Sequence, residues 1–130
     1  MTTITELLAE FEAAQPAVSR WAEYPDRVLD DDDLPDCDVM SKRFTAFATE
    51  RGFAARTVEC HPPTPEPWYD GHWFTVIGNQ AIDWTARQFY NVADDRDDWI
   101  DPQSIPIPML FEWPGTFPIT GMQLTEAGGK

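Results

Sequence analysis

The sequence predicts a single α+β domain in which helices come first and a mostly antiparallel sheet follows. Apolar side chains recur at helical spacing within residues 4–15, 17–24 and 37–51, whereas residues 53–60, 72–77 and 81–84 are predicted to be strands. No internal repeat or linker divides the chain. With 130 residues, the chain is long enough for one hydrophobic core and too short for two.

Two short helices are predicted at the N-terminus. From Ile4 to Gln15, apolar residues recur every three or four positions with glutamates between them, and Pro16 ends this helix. Residues 17–24 predict a second helix. The aspartate run 30–33 then breaks regular structure. These four aspartates repel one another, which favours a solvated loop. A metal site shared with Asp36 is the alternative, but the EF-hand spacing is absent.

A third helix is predicted from Cys37 to Arg51, with Asp36 as its N-cap and Gly52 as its stop. Phe53 to Cys60 then alternates as a strand does. In the helix from Cys37 to Arg51, the buried face is expected to consist of Val39, Met40, Phe44, Phe47 and Ala48.

A β-hairpin is predicted from His72–Ile77 and Ala81–Trp84, with its turn at the sequence GNQ. The segment 61–71 precedes it and contains four prolines, so we expect a stiff surface loop there. An acidic loop follows Phe89. The aromatic, proline-containing tail 109–119 indicates an edge strand or a packed extended segment.

The composition limits the classes of partner and the compartment. A formal net charge of −14 repels nucleic-acid backbones and anionic membranes, so a protein or peptide substrate with a basic surface is the expected partner. No apolar run approaches the roughly 20 residues of a membrane helix, and the acidic N-terminus is unlike a signal peptide. Two cysteines are too few for a disulfide framework, which favours a reducing cytosol.

Three residue types suited to nucleophilic catalysis occur in the order Cys37, His72, Asp83. At the start of a helix, the sulfur of Cys37 would lie near unpaired N–H groups that favour the reactive thiolate. Asp36 and Asp38 oppose this effect by their charge. An imidazolium at His72 would offset them, and Asp83 would orient and stabilise that imidazole.

Two stretches of the chain, CDVMSKRFTAFATERGFAARTV and HWFTVIGNQAIDWT, resemble the transglutaminase-like branch of the papain-like fold. In that family a cysteine opens a helix that has a small residue one turn later. The helix ends in Gly–apolar–x–Ala–Arg before a strand, and a His before a strand and an Asp-x-Thr follow. The matching positions here are Cys37, Ser41, residues 52–56, His72 and residues 83–85.

The resemblance implies one transglutaminase-like domain over residues 1–130, with its core at about 35–90. A catalytic helix would pack on an antiparallel sheet. A Cys-His-Asp triad would transfer an acyl group from an amide through a thioester, as in a peptidase, isopeptidase or glutamine deamidase. No cofactor or metal is implied. The chain departs from the usual family residues at Asp36, Asp38, Ser41 and Trp84.

An acyl-transfer site also needs donors for the oxyanion, and several residues are candidates. The backbone N–H of Cys37 would supply one hydrogen bond, and Gln15, Gln88 or Gln103 a second. Gln88 and Trp84 either line the site or fill the core. Cys60 and His61 form a rival pair, but neighbours on a strand point to opposite faces. Arg56 is expected to be structural.

A second interpretation keeps the fold and removes the catalysis. The net charge of −14, the two acids beside Cys37 and the aromatic tail are also what an acidic binding or accessory protein would carry. Thiol reactivity separates the two, because an active-site Cys37 should react faster than Cys60 in a manner that depends on His72.

Overall fold

The structure of the chain is a computed structural model that describes residues 2–23, 35–61, 71–89, 101–119 and 123–126. Within these residues, three α-helices lie against a five-stranded antiparallel sheet, which confirms the α+β class. The predicted loops at 30–33, at 62–70 and after Phe89 to residue 100 lie outside the described residues. None of the helices in the described ranges is both long and apolar enough to cross a bilayer.

The helices are α1 (Ile4–Ala14), α2 (Pro16–Glu23) and α3 (Cys37–Glu50). At the start of α1, the Thr3 hydroxyl accepts a hydrogen bond from the Glu6 backbone N–H while the Glu6 side chain accepts from Thr3 in return. The helix ends where the sequence predicts, because α2 begins at a proline, a residue suited to the first helical position.

The ends of α3 follow from two residues. The Asp36 carboxylate accepts a hydrogen bond from the Val39 backbone N–H at 3.0 Å, as an N-cap should. Gly52 has a φ of 88°, a left-handed conformation that ends the helix. Val39 was expected in the buried face, but it is 38% exposed. It lies on the opposite side of the helix from Ser41, which faces the sheet and is buried instead.

The strands are β1 (Ala55–His61), β2 (His72–Ile77), β3 (Gln80–Asp83), β4 (Met109–Glu112) and β5 (Thr125–Glu126), arranged in the order β4-β3-β2-β1-β5. The predicted hairpin is β2–β3, and Gly78 provides its turn with a φ of 64°. Part of the aromatic tail forms β4, which pairs with β3 at the edge of the sheet.

The sheet separates two hydrophobic clusters. One lies between the sheet and the helices and contains Phe11, Phe44, Ile82 and Trp84 among others. The other lies on the opposite face, where β1, β2 and β3 meet the residues after β3, and its members are Val58, Cys60, Phe74, Val76, Ala81, Ala86, Phe89, Ile105, Met109, Trp113, Phe117 and Leu124.

Helix α3 is fixed on the sheet by hydroxyl groups. Oγ1 of Thr45 lies 2.8 Å from Oγ1 of Thr57 and 2.9 Å from Oγ1 of Thr75. The hydroxyl of Thr75 also donates to the backbone carbonyl of Ser41 at 3.0 Å. Because these groups are buried or half-buried, their hydrogen bonds set how the helix lies across β1 and β2.

Helix α3 runs in the same direction as β2. The ammonium group of Lys42 lies 5.1 Å from the ring centre of Trp73, and three residues later Thr45 contacts Thr75. Cys37 is five residues before Lys42, which is about 7.5 Å along a helix. The first turn of α3 therefore extends to the end of the sheet where His72 begins β2.

Packing of the helices on the sheet predicts a large effect at Phe44. Its side chain has no exposed surface, and its ring lies 4.9 Å from Phe11 and 5.4 Å from Trp84. We expect Phe44→Ala to lower the free energy of unfolding by roughly 3–5 kcal/mol, because a large cavity would be left. Urea unfolding measures this, with Val39→Ala on the exposed side as the control; comparable losses in both variants would contradict it.

Candidate active site

His72 and Asp83 are brought together by the β2–β3 hairpin. The last β2–β3 pair is Thr75 with Ile82, so the next residues in this register are Phe74 and Asp83, and Phe74 is two residues from His72 on the same face of the sheet. Nε2 of His72 lies 2.6 Å from Oδ2 of Asp83, and both side chains are buried. The sequence expectation that a hairpin sets these two residues side by side is therefore met in space.

The second carboxylate oxygen of Asp83 is held by the residues that follow β3. The backbone N–H of Thr85 donates to Oδ1 at 3.0 Å, and the Thr85 hydroxyl lies 3.4 Å from the same oxygen. This is an Asx-turn, in which an aspartate bonds the backbone two residues later. The turn fixes the carboxylate so that Oδ2 is directed at His72.

Aromatic rings surround the imidazole of His72. The rings of Phe89 and Phe117 approach it edge-on at 4.8 and 5.5 Å, and the ring of Phe74 lies at 6.0 Å. An apolar environment of this kind excludes water and strengthens the electrostatic interactions inside it.

The pKa of His72 is raised from 6.5 to about 9. Burial acts in the opposite direction, because it disfavours the charged imidazolium, but other groups outweigh it. The charge and hydrogen bond of Asp83 raise the pKa, and so do a side-chain hydrogen bond and a charge interaction with Cys37. The structure therefore brings Cys37 within interaction range of His72.

Cys37 is the first residue of α3 and is half-buried. Since Asp83 occupies Nε2 of His72, Nδ1 is the ring nitrogen that can face the sulfur. Each of the two neighbouring acids has a partner. Asp36 accepts the Val39 N–H, and the carboxylate of Asp38 lies 2.8 Å from Nζ of Lys42. The cation of Lys42 reduces the opposition of Asp38 to a thiolate.

Gln88 also reaches the site, from the 3₁₀ turn Ala86–Phe89. Its Nε2 lies 3.2 Å from Nδ1 of His72 and 3.1 Å from the hydroxyl of Thr85. Thr85 belongs to the family motif in the sequence, but its contact with the Asp83 carboxylate is not among the predictions. The signal that could have found it is the Asp-x-Thr spacing, which is typical of an Asx-turn.

The other candidates occupy different places. Trp84 is buried and packs against Phe11 and Phe44, so its ring fills the core beneath the helices. Gln15 follows α1 and accepts a hydrogen bond from Arg43 at 3.4 Å. Gln103 is exposed, and its backbone N–H donates to Asp101.

The rival pair Cys60–His61 is divided between the two faces of β1. Cys60 is completely buried, and its thiol donates to the backbone carbonyl of His72 at 3.5 Å. His61 is exposed beside Glu59. Arg56 pairs with Glu126 across the sheet, in agreement with a structural role.

The described residues contain no cluster of three or more His, Cys, Asp or Glu side chains placed to hold a metal ion. What they do bring together is a thiol, an imidazole and a carboxylate, which can move a proton and form a covalent bond to carbon. Comparisons of the chain with protein-family models, with curated proteins and with solved structures found no match.

The raised pKa of His72 predicts a pH-dependent stability. The unfolded imidazole loses its proton near pH 6.5 and the folded one near pH 9, so the stabilisation is complete below 6.5 and is lost as the pH rises through about 9. We expect the free energy of unfolding to fall by on the order of 1–3 kcal/mol over this window. Urea unfolding between these pH values measures the fall.

Asp83→Asn is the matched variant for this measurement. An amide at this position cannot stabilise the imidazolium by charge, so the fall between pH 6.5 and about 9 should become much smaller whatever the variant's overall stability. An equal fall in the free energy of unfolding in both proteins would contradict the prediction.

Proposed function

We propose that the protein is a cysteine-dependent acyl-transfer enzyme that acts on an amide bond, with Cys37 as nucleophile, His72 as acid and base, and Asp83 as the group that orients the imidazole. One observation carries the proposal: a buried imidazole is hydrogen-bonded through one nitrogen to a carboxylate, and it interacts with a cysteine at the start of a helix. This is the arrangement that nucleophilic catalysis by sulfur requires.

In the first half of the reaction, the proton of the Cys37 thiol moves to Nδ1 of His72, and the sulfur attacks the carbonyl carbon of the amide. A C–S bond forms and the carbonyl electron pair moves to oxygen. When the carbonyl is restored, the C–N bond breaks and the leaving amine takes the proton from Nδ1. The product of this half is a thioester on Cys37.

In the second half, an acceptor resolves the thioester. Nδ1 of His72 takes a proton from water, the resulting oxygen nucleophile attacks the thioester carbon, and the C–S bond breaks with the proton returning to sulfur. An amine acceptor in place of water would give a cross-link. The proposed reaction is hydrolysis or deamidation of a protein side chain, in which water is the acceptor.

The proposed substrate is a protein or peptide with a basic surface. The net charge of −14 attracts such a surface at long range and repels nucleic acids and anionic membranes. No cofactor takes part in the proposed reaction, since sulfur supplies the nucleophile and imidazole the proton transfer.

The proposed fold family is the transglutaminase-like branch of the papain-like fold. Its support is the order of the elements: Cys37 opens α3, His72 opens β2 and Asp83 closes β3. Further support comes from α3, which packs on β1 and β2 through the hydroxyls of Thr45, Thr57 and Thr75. The sequence GFAAR, which leads from the end of α3 into β1, adds the family's helix-to-strand transition.

A second function, an acidic binding protein on the same fold, is favoured by one observation. His72 has no exposed surface, so a substrate would have to approach through the half-buried Cys37. In such a protein, the His72–Asp83 pair would serve to hold the hairpin together, and Cys37 would have no catalytic use.

Alkylation of the thiols by iodoacetamide separates the two functions. We expect Cys37 to react faster than the buried Cys60 near neutral pH, since Cys37 is only half-buried and its side chain interacts with the imidazole of His72, whose pKa is raised to about 9. His72→Ala should slow the reaction of Cys37 by about tenfold or more. Mass spectrometry of the digested protein reads both sites in one sample.

His61→Ala is the control for loss of a histidine. His61 lies exposed on β1 and contacts Glu59, so its removal should leave the alkylation of Cys37 at the wild-type rate. A Cys37 that reacts as slowly as an ordinary thiol, with equal rates in both histidine variants, would reject the enzyme and leave the binding protein.

A further inference from the structure

The imidazole of His72 belongs to a closed ring of hydrogen bonds formed by four side chains. Nε2 of Gln88 lies 3.2 Å from Nδ1 of His72 and 3.1 Å from Oγ1 of Thr85. Oγ1 of Thr85 lies 3.4 Å from Oδ1 of Asp83, and Oδ2 of Asp83 returns to Nε2 of His72 at 2.6 Å. The four side chains come from β2, the end of β3 and the 3₁₀ turn that follows it.

The donors and acceptors of this ring are satisfied by one arrangement of hydrogens. The Gln88 amide nitrogen carries two hydrogens, one for Oγ1 of Thr85 and one for Nδ1 of His72. The single hydroxyl hydrogen of Thr85 then goes to Asp83, which also accepts from Nε2–H of His72. With the amide reversed, its oxygen would draw the Thr85 hydroxyl away from Asp83.

We propose that Gln88 is a positioning residue whose side-chain amide holds the neutral imidazole of His72 in the Nε2–H tautomer by donating a hydrogen bond to Nδ1. The inference rests on the proposed function for its purpose, because this tautomer is the one in which the electron pair of Nδ1 can accept the proton of Cys37. When that proton reaches Nδ1, the nitrogen can no longer accept a hydrogen bond from the Gln88 N–H. The loss of this hydrogen bond means that Gln88 opposes protonation of the imidazole.

Several groups act on the charge of His72 from the elements packed around it. Asp83 on β3 and Cys37 on α3 favour the imidazolium, and burial disfavours it. The thiol of Cys60 on β1 is directed at the backbone carbonyl of His72. Gln88 acts in the same direction as burial, because donation to Nδ1 is possible only while that nitrogen lacks a proton. A general base benefits from this restraint, since an imidazole that holds its proton too tightly cannot return it.

The test is the NMR titration of the His72 ring protons. The sequence contains two histidines, so a His61→Gln background leaves His72 as the only one. In Gln88→Met, which keeps the length of the side chain and loses its donor, we expect the titration midpoint to rise by about 0.5–1 pH unit. In Gln88→Glu, where an acceptor faces Nδ1, the rise should be larger.

Gln15→Met is the matched control, because Gln15 contacts Arg43 at the end of α1 and should leave the midpoint unchanged. A midpoint that is unchanged or lower in Gln88→Met overturns the inference. If the Met variant does not fold, Gln88→Asn is measured in its place, since the shorter amide would also withdraw the donor from Nδ1, and the same two outcomes apply.

The outcome is separate from that of the alkylation experiment. An inert Cys37 together with a shifted His72 midpoint would reject the proposed enzymatic function and support the positioning role of Gln88. A reactive Cys37 with an unshifted midpoint would retain the enzyme and reject the role of Gln88.

Discussion

The short hydrogen bond between Nε2 of His72 and Oδ2 of Asp83 is the interaction on which the rest of the site depends. It joins two strands at the end of the sheet, and it does so where both side chains are buried. A buried carboxylate or imidazolium alone would be strongly unfavourable, so each requires the other. The bond also determines which ring nitrogen faces Cys37, because Nε2 is already occupied. The chemistry proposed for the sulfur follows from that assignment.

The neighbours of this pair all serve to keep it in one geometry. Thr85 holds the second oxygen of Asp83, and Gln88 connects Thr85 to the imidazole. The rings of Phe89 and Phe117 keep the surroundings apolar. A polar network in such a place stabilises a unique arrangement only when all its members are satisfied, which is why the orientation of the Gln88 amide matters.

The position of Cys37 depends on a different set of contacts. The threonine hydroxyls that join α3 to β1 and β2 lie two to three turns away from the sulfur. They fix the direction of the helix, so its first residue, Cys37, lies at the end of the sheet. The pairing of Lys42 with Asp38 on the adjacent turn reduces the negative charge beside the sulfur.

Much of the fold could be predicted from the sequence because its signals are local. The three helices begin and end within one or two residues of the predicted positions, since the N-cap Asp36 and Gly52 act on the backbone next to them. The hairpin was predicted for the same reason, although β3 begins one residue earlier, at Gln80. Strand β1 begins at Ala55 rather than Phe53, because the backbone N–H of Phe53 donates to the carbonyl of Ala48 at the end of α3 instead of pairing with another strand.

The sequence by itself determined the class of the fold, the elements that carry Cys37, His72 and Asp83, and the order in which they occur. Periodicity, caps and turn residues specify these features because each acts within a few positions of the chain. Tertiary structure alone decided that Trp84 belongs to the core, that Val39 is exposed, and that the Gln88 amide meets Nδ1 of His72. These outcomes depend on how separate elements pack and on the register of the strands, and no local pattern records a contact between residues 16 positions apart.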